Sequence, residues 1–350
     1  MTTEAAKSDD PGDWPTLLKD NARTGGHQEH SVRSPERAVW QYRAGSSVRS
    51  APILEGGILY VASANGVLHA VDVLTGTAKW KFQAAGQIHS TPSLSEDRVL
   101  FGCDDGNVYA LDRSTGSKLW EAQTRAEVWV SPVVRGGVVF FGSADARVYA
   151  VDTDTGRTLW AQELGGRIYS TIYAAEHQLY LGCGDGKVYS LDSSSGKTLW
   201  STPTGNGIDS SPAVAGNMVM IGSQDFWFYA MNSASGEMLW KYETGLGISS
   251  SPAVSEDLVV VGSKDGFLYA LQTQTGRLRW STLVGEVVTA PPVIHDGIVY
   301  IQAGGTFALD CATGSVVWRA ALAGAVQSAP VLAADTVYLA SLSGEVYALR

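Results

Sequence analysis

Eight tryptophans, Trp40, Trp80, Trp120, Trp160, Trp200, Trp240, Trp280 and Trp318, recur along the chain; the first seven stand forty residues apart and the last interval is thirty-eight. A period of this length means that one supersecondary unit is repeated and buries its faces against its neighbours. Blade two shows the unit most clearly: Tyr109-Ala110-Leu111-Asp112, then Thr115-Gly116, then Trp120. In blade one, four apolar, β-branched runs predict strands at Ser50–Leu54, Ile58–Ala62, Val67–Val71 and Ala78–Gln83. Turn chemistry separates them at Glu55-Gly56-Gly57, Ala64-Asn65-Gly66 and Asp72 to Gly76. No helix-period segment intervenes. The pattern predicts an all-β fold, a β-propeller of four-stranded antiparallel blades.

First-strand segments begin near Ser50, Ser90, Ser131, Ser170, Ser210, Ser250, Ala290 and Ser328, which predicts eight blades. The last blade reaches only its third strand at Tyr347-Ala348-Leu349-Arg350, and Ala38-Val39-Trp40-Gln41-Tyr42 supplies the fourth. The N-terminal strand therefore closes the ring and leaves few open edges. The division expected is a polar lead over residues 1–36 and the propeller over residues 37–350. The repeated parts have structural work. The turn glycines permit positive φ, the turn aspartates accept backbone hydrogen bonds, and the tryptophans fill the boundaries between blades.

Lys and Arg number 25 against 35 Asp and Glu, a formal net charge of −10. Without a basic run, neither nucleic acid nor an anionic membrane is an expected partner. No apolar run approaches a membrane span, and Met1 to Asp13 has none of the features of a secretory signal, so a cytosolic location is expected. Cys103 and Cys183 share one phase two blades apart, too far to bond. Zinc spacing, a P-loop, a dinucleotide fingerprint and a nucleophile elbow are all missing, so the sequence implies neither metal nor cofactor.

The run Tyr-Ala-Leu-Asp, Thr-Gly, Trp resembles the tryptophan-docking repeat of the PQQ-like propellers, the quinoprotein alcohol dehydrogenase-like group. Asp13-Trp14-Pro15 through Arg23-Thr24-Gly25 resembles the lead-in before their first blade. The likeness spans residues 13–350 and implies an eight-bladed propeller. Members of the group include quinoprotein dehydrogenases, the propeller lipoprotein of the outer-membrane assembly machinery, and sensor domains of bacterial kinases. The dehydrogenases carry adjacent cysteines beside their cofactor and a calcium-ligand pattern. Here Cys103, Cys183 and Cys311 are isolated and that pattern is not found, so bound PQQ is not expected. The lipidated cysteine near the start of the assembly lipoprotein is also missing.

Function is sought where the repeat is broken. Aligning each first strand on a preceding Val or Ile (Val48, Ile88, Val128, Ile168, Ile208, Ile248, Val287, Val326) exposes one position that differs in every blade. Round the ring it reads Arg49, His89, Trp129, Tyr169, Asp209, Ser249, Val288 and Gln327. The first strand of a blade is innermost, so these side chains are expected to line one funnel mouth, which makes it a candidate pocket for a small organic molecule. Wet surfaces drift toward small polar residues, Lys and Glu, not toward Trp and Tyr together. In blade five Asp225-Phe226-Trp227-Phe228 replaces the usual Asp-Gly hairpin, offering Trp227 as a wall near Asp209 or as packing on a hairpin. Arg147 and Lys187 lie beside the hairpins of blades three and four, Glu127 and Arg167 form a candidate rim pair, and Ala303-Gly304-Gly305 shortens blade seven.

If the protein is an enzyme, cofactor-free acid–base chemistry is the economical form. Asp209 or His89 would be the base, Tyr169 the proton donor and Arg49 the anion stabiliser, acting on an aromatic or polycyclic substrate held by Trp129 and Trp227. The alternative is a non-catalytic scaffold or sensor that offers a propeller face to a protein partner. His69 takes the phase occupied elsewhere by the structural tyrosine and is expected in the core.

Overall fold

A computed structural model describes residues 38–255, 257–320, 328–333 and 336–350. They form eight four-stranded antiparallel sheets, each in simple meander order. Blade one comprises Ile53–Glu55, Ile58–Ala62, Val67–Asp72 and Thr77–Gln83. The ring closes as expected: strand Ala38–Arg43 pairs antiparallel with Glu345–Leu349, so the two ends of the chain share blade eight. The lead over residues 1–36 lies outside the described residues.

First strands of neighbouring blades touch one another, which places them nearest the axis. They are shorter than expected, and the reason is chemical. Pro52, Pro92, Pro132, Pro212, Pro252, Pro292 and Pro330 interrupt this segment, and proline has no N–H to give a ladder. Hydroxyls of the next blade serve the neighbouring backbone instead. Ala51 N donates to Thr91 Oγ1 at 3.2 Å, Thr91 N to Ser131 Oγ at 3.1 Å, and Ser211 N to Ser251 Oγ at 3.0 Å. Blades are thus sewn together at the axis by side chains.

At the circumference the tryptophans do the same. Seven indole N–H groups donate to a turn carbonyl of the following blade, from Trp40 to Val73 at 2.7 Å round to Trp280 to Cys311 at 2.9 Å. Five of the accepting turns are organised by an aspartate, and the other two carry Asn232 and Gln272 in its place. Asp112 Oδ1 accepts from the N–H groups of Ser114 and Thr115 and from their hydroxyls, and these bonds hold its carboxyl down at about 2.

Between axis and rim, apolar side chains fill the blade boundaries. Val128, Ile168, Ile208, Ile248 and Val288 press on Gly102, Gly142, Gly182, Gly222 and Gly262 respectively, where a Cβ would find no room. His69 is buried among them at 2% exposure, with Tyr42 Oη 2.9 Å from Nδ1 and Ser63 Oγ 3.2 Å from Nε2. Cys103, Cys183 and Cys311 are unpaired, and burial pushes the thiols of Cys103 and Cys183 up to about 12.

Candidate functional site at the axial mouth

Six of the eight sequence-derived positions, Arg49, His89, Trp129, Tyr169, Asp209 and Ser249, occupy one structural phase. Each stands between a buried residue before it and a buried residue after it, as in Ile208-Asp209-Ser210, and is itself exposed or half-buried. Val288 does not share that phase. It is fully buried, and its N–H donates to Ser263 O at 3.1 Å just as Ile248 N donates to Ser223 O at 3.0 Å. The mouth position of blade seven is Thr289, which is exposed. Gln327 lies outside the described residues.

A second set of residues, missed in the sequence, interleaves with the first. The loop after each second strand begins Ser63-Ala64, Cys103-Asp104, Ser143-Ala144, Cys183-Gly184, Ser223-Gln224 and Ser263-Lys264. The N–H of the second residue is bonded beside the mouth strand of its own blade, as Asp104 N to Gln87 O at 2.9 Å. The carbonyl of the first is bonded to the next blade, as Cys103 O to Val128 N at 3.1 Å. Each loop residue therefore sits between two successive ring positions.

Asp104 illustrates the consequence. Its Oδ2 lies 3.4 Å from His89 Nε2, and the nearby Trp129 side chain helps to hold its pKa down. The His89 and Trp129 rings meet edge to face, centroids 5.7 Å apart at 70°. Ala144 inserts nothing between Trp129 and Tyr169, which stack at 5.1 Å and 21°. Arg167 Nη1 donates to Tyr169 Oη at 3.3 Å. An aromatic ladder thus spans three blades, with Trp129 44% exposed. Such offset and T-shaped pairs hold rings in place.

The next blades are polar. Gln224 Nε2 donates to Asp209 Oδ2 and to Ser249 Oγ, both at 2.7 Å, while Lys264 Nζ donates to Gln224 Oε1 at 2.8 Å. An ammonium offers only donors, so Lys264 fixes which end of the amide faces Asp209.

Other candidates fall elsewhere. Trp227 opens the third strand of blade five, two strands out from the axial one, beneath the Lys241 ammonium at 3.9 Å from the ring centroid. It packs on a hairpin and does not wall the pocket. Arg147 is bound to Glu163 at 2.7 Å on the outer strand. Glu127 and Arg167 form no ion pair within bonding distance; the bond to Tyr169, then the nearby Glu127 charge, raise the Arg167 pKa. Blade seven is shortened as expected, with Gln302 facing Thr306 across its hairpin. No hydrogen bond or ion pair among the described residues joins any two of Arg49, His89, Tyr169 and Asp209. These four side chains stand at successive or separated ring positions without direct polar contact with one another.

Burial raises the Asp104 carboxyl above its usual range, against the opposing pull of His89 and Trp129. Its Oδ1 is buried without a partner. A raised carboxyl means that the folded state favours the neutral form, so above that value the charge costs stability. Asp104→Asn is therefore expected to raise the thermal midpoint at pH 7 by about 1–3 °C. An unchanged or lowered midpoint would show that the His89 contact outweighs burial.

These features define a PQQ-like β-propeller. A family profile described as "Outer membrane protein assembly factor BamB" matches residues 23–167, 123–188 and 144–350, and the chain belongs to that family. No curated protein matches it. Among solved structures it is similar to BamB from Moraxella catarrhalis, with a TM-score of 0.78 and 19% identity over 90% of this chain and 99% of that one. It is also similar to the quinohemoprotein alcohol dehydrogenase from Comamonas testosteroni, with a TM-score of 0.84 and 15% identity over 98% and 81%. The computationally designed Ika8 protein gives a TM-score of 0.77 and 19% identity over 88% and 98%.

Proposed function

We propose that this chain is a non-catalytic recognition propeller that holds a segment of a protein partner in its axial mouth. The observation that carries the reading is the His89–Trp129–Tyr169 ladder, stacked and facing solvent across three blades. Trp, Tyr and Arg are the residue types that dominate interface energies, and rings already held by neighbours lose little freedom when a partner lands. Turnover is the weaker reading, because among the described residues no two of Arg49, His89, Tyr169 and Asp209 are joined by a hydrogen bond or ion pair; their partners are Asp104 for His89, Arg167 for Tyr169 and Gln224 for Asp209. The family description, an assembly factor, also supports a role in partner binding.

A photo-crosslinking residue, p-benzoylphenylalanine, placed at Trp129 is expected to give a discrete protein adduct in cells. The same residue at Leu74, which is 88% exposed on an outer turn at the circumference, is expected to give none. Equal labelling from both sites would sink the proposal. A second reading, a small aromatic ligand, is favoured by the direct stack of Trp129 on Tyr169. Its signature is thermal stabilisation by an aromatic acid, lost in Trp129→Ala, with no protein adduct.

A further inference from the structure

The interleaved loop residues divide the mouth into filled and unfilled intervals. Asp104 fills the interval between His89 and Trp129, and Gln224 that between Asp209 and Ser249. Ala144 leaves its interval to the stacked rings. Gly184, exposed and without a side chain, lies between Tyr169 and Asp209 and leaves a seam there. Resting on the partner-binding reading, we infer that the partner segment inserts a basic side chain, Arg or Lys, into the seam over Gly184, between the Tyr169 ring and the Asp209 carboxylate.

Four features argue for a cation. Asp209 is exposed, and Gln224 is its sole hydrogen-bond partner among the described residues, so acceptor capacity remains on the carboxylate. Lys264 locks the Gln224 amide, which holds that carboxylate in a fixed presentation. On the other side the seam is bounded by an aromatic ring already stacked on Trp129, and a cation beside such a ring is attracted by its quadrupole. A guanidinium fits this pair of neighbours well, since it stacks on rings and forks onto carboxylates. The chain as a whole carries a formal charge of −10, which draws a basic partner in and repels an acidic one.

The test selects randomised heptapeptides displayed on phage against the full chain in about 0.3 M salt, where long-range attraction between exposed charges is screened. Sequencing is expected to show Arg and Lys enriched at least about fivefold over the unselected library, the scale of about 1 kcal/mol of preference. Asp209→Asn is expected to abolish the enrichment. Gly184→Gln, which installs in blade four the side chain that blade five carries, is expected to abolish it by filling the seam. Glu237→Gln, on an exposed outer turn, is expected to keep it. If Gly184→Gln fails to fold, Asp209→Asn decides alone. The inference is overturned by selected peptides without basic bias, by acidic bias, by an enrichment that survives Asp209→Asn, by one that survives a folded Gly184→Gln, or by no selection at all. A protein adduct at Trp129 together with unbiased peptides removes this inference and leaves the recognition role standing; loss of both removes both.

Discussion

Gly116→Val is expected to destabilise the protein by about 3–4 kcal/mol, seen as a fall in the chemical denaturation midpoint. Two separate costs meet at this glycine. Its φ of +74° is strained for any residue with a Cβ, a penalty of about 1–2 kcal/mol. A Cβ there would also stand 2.6 Å from the Trp80 ring, and overpacking of that kind costs about 1–3 kcal/mol more. The two costs separate in a double-mutant cycle. Trp80→Ala removes the obstructing ring and leaves the Arg113 carbonyl, which now accepts the indole N–H at 3.0 Å, without that donor. In the Trp80→Ala background Gly116→Val should cost only the backbone share, about 1–2 kcal/mol, giving a coupling of about 2 kcal/mol. Equal costs in both backgrounds would mean that the turn moves away from its tryptophan and that the rim contact is not rigid.

The same pairing explains why the fold was so legible. Seven blade boundaries pair a tryptophan with a turn glycine, and five of those turns carry an aspartate, so one physical requirement is written seven times with small variations. The site is written once, in exceptions, and each exception carries its own ambiguity. In Glu286-Val287-Val288-Thr289 two valines stand side by side, and the count of eight residues that leads from Trp240 to Ile248 leads from Trp280 to Val288, not to Val287. A slip of one residue in a strand exchanges its two faces, so choosing Val287 as the buried residue put Val288 at the mouth and hid Thr289. Asp104, Gln224 and Lys264 stand just before the hairpin signals Asp105-Gly106, Asp225-Phe226 and Asp265-Gly266, where polar residues are ordinary turn chemistry and draw no notice. Their own variation, Ala64, Asp104, Ala144, Gly184, Gln224, Lys264, was visible in the alignment and was the available signal. Trp227 shows a different limit. Its phase along the strand was readable, but distance from the axis is a property of the closed ring.

His69 yields the last expected effect, on stability as a function of pH. Burial first, and then the charge of Lys81, which faces it on the neighbouring strand, lower its pKa from 6.5 to about 4; a hydrogen bond at the Ala44 backbone opposes them. Tyr42 and Ser63 contact its two ring nitrogens, and neither is charged. The sign follows from proton counting. Between pH 6.5 and 4 the unfolded chain protonates this imidazole while the folded chain resists, so falling pH favours unfolding. Stability contributed here is full above pH 6.5, is lost as the pH drops toward 4, and loses nothing further below that. A shift of this size corresponds to roughly 3 kcal/mol. His69→Tyr substitutes the residue that blades two to six carry at this phase and removes the titration from that window. Urea denaturation of both proteins from pH 7.5 to 4 is expected to show wild type losing roughly 3 kcal/mol more than the variant. Parallel curves would mean that the His69 cavity opens to water and accepts the proton, making blade one a boundary that loosens before the others.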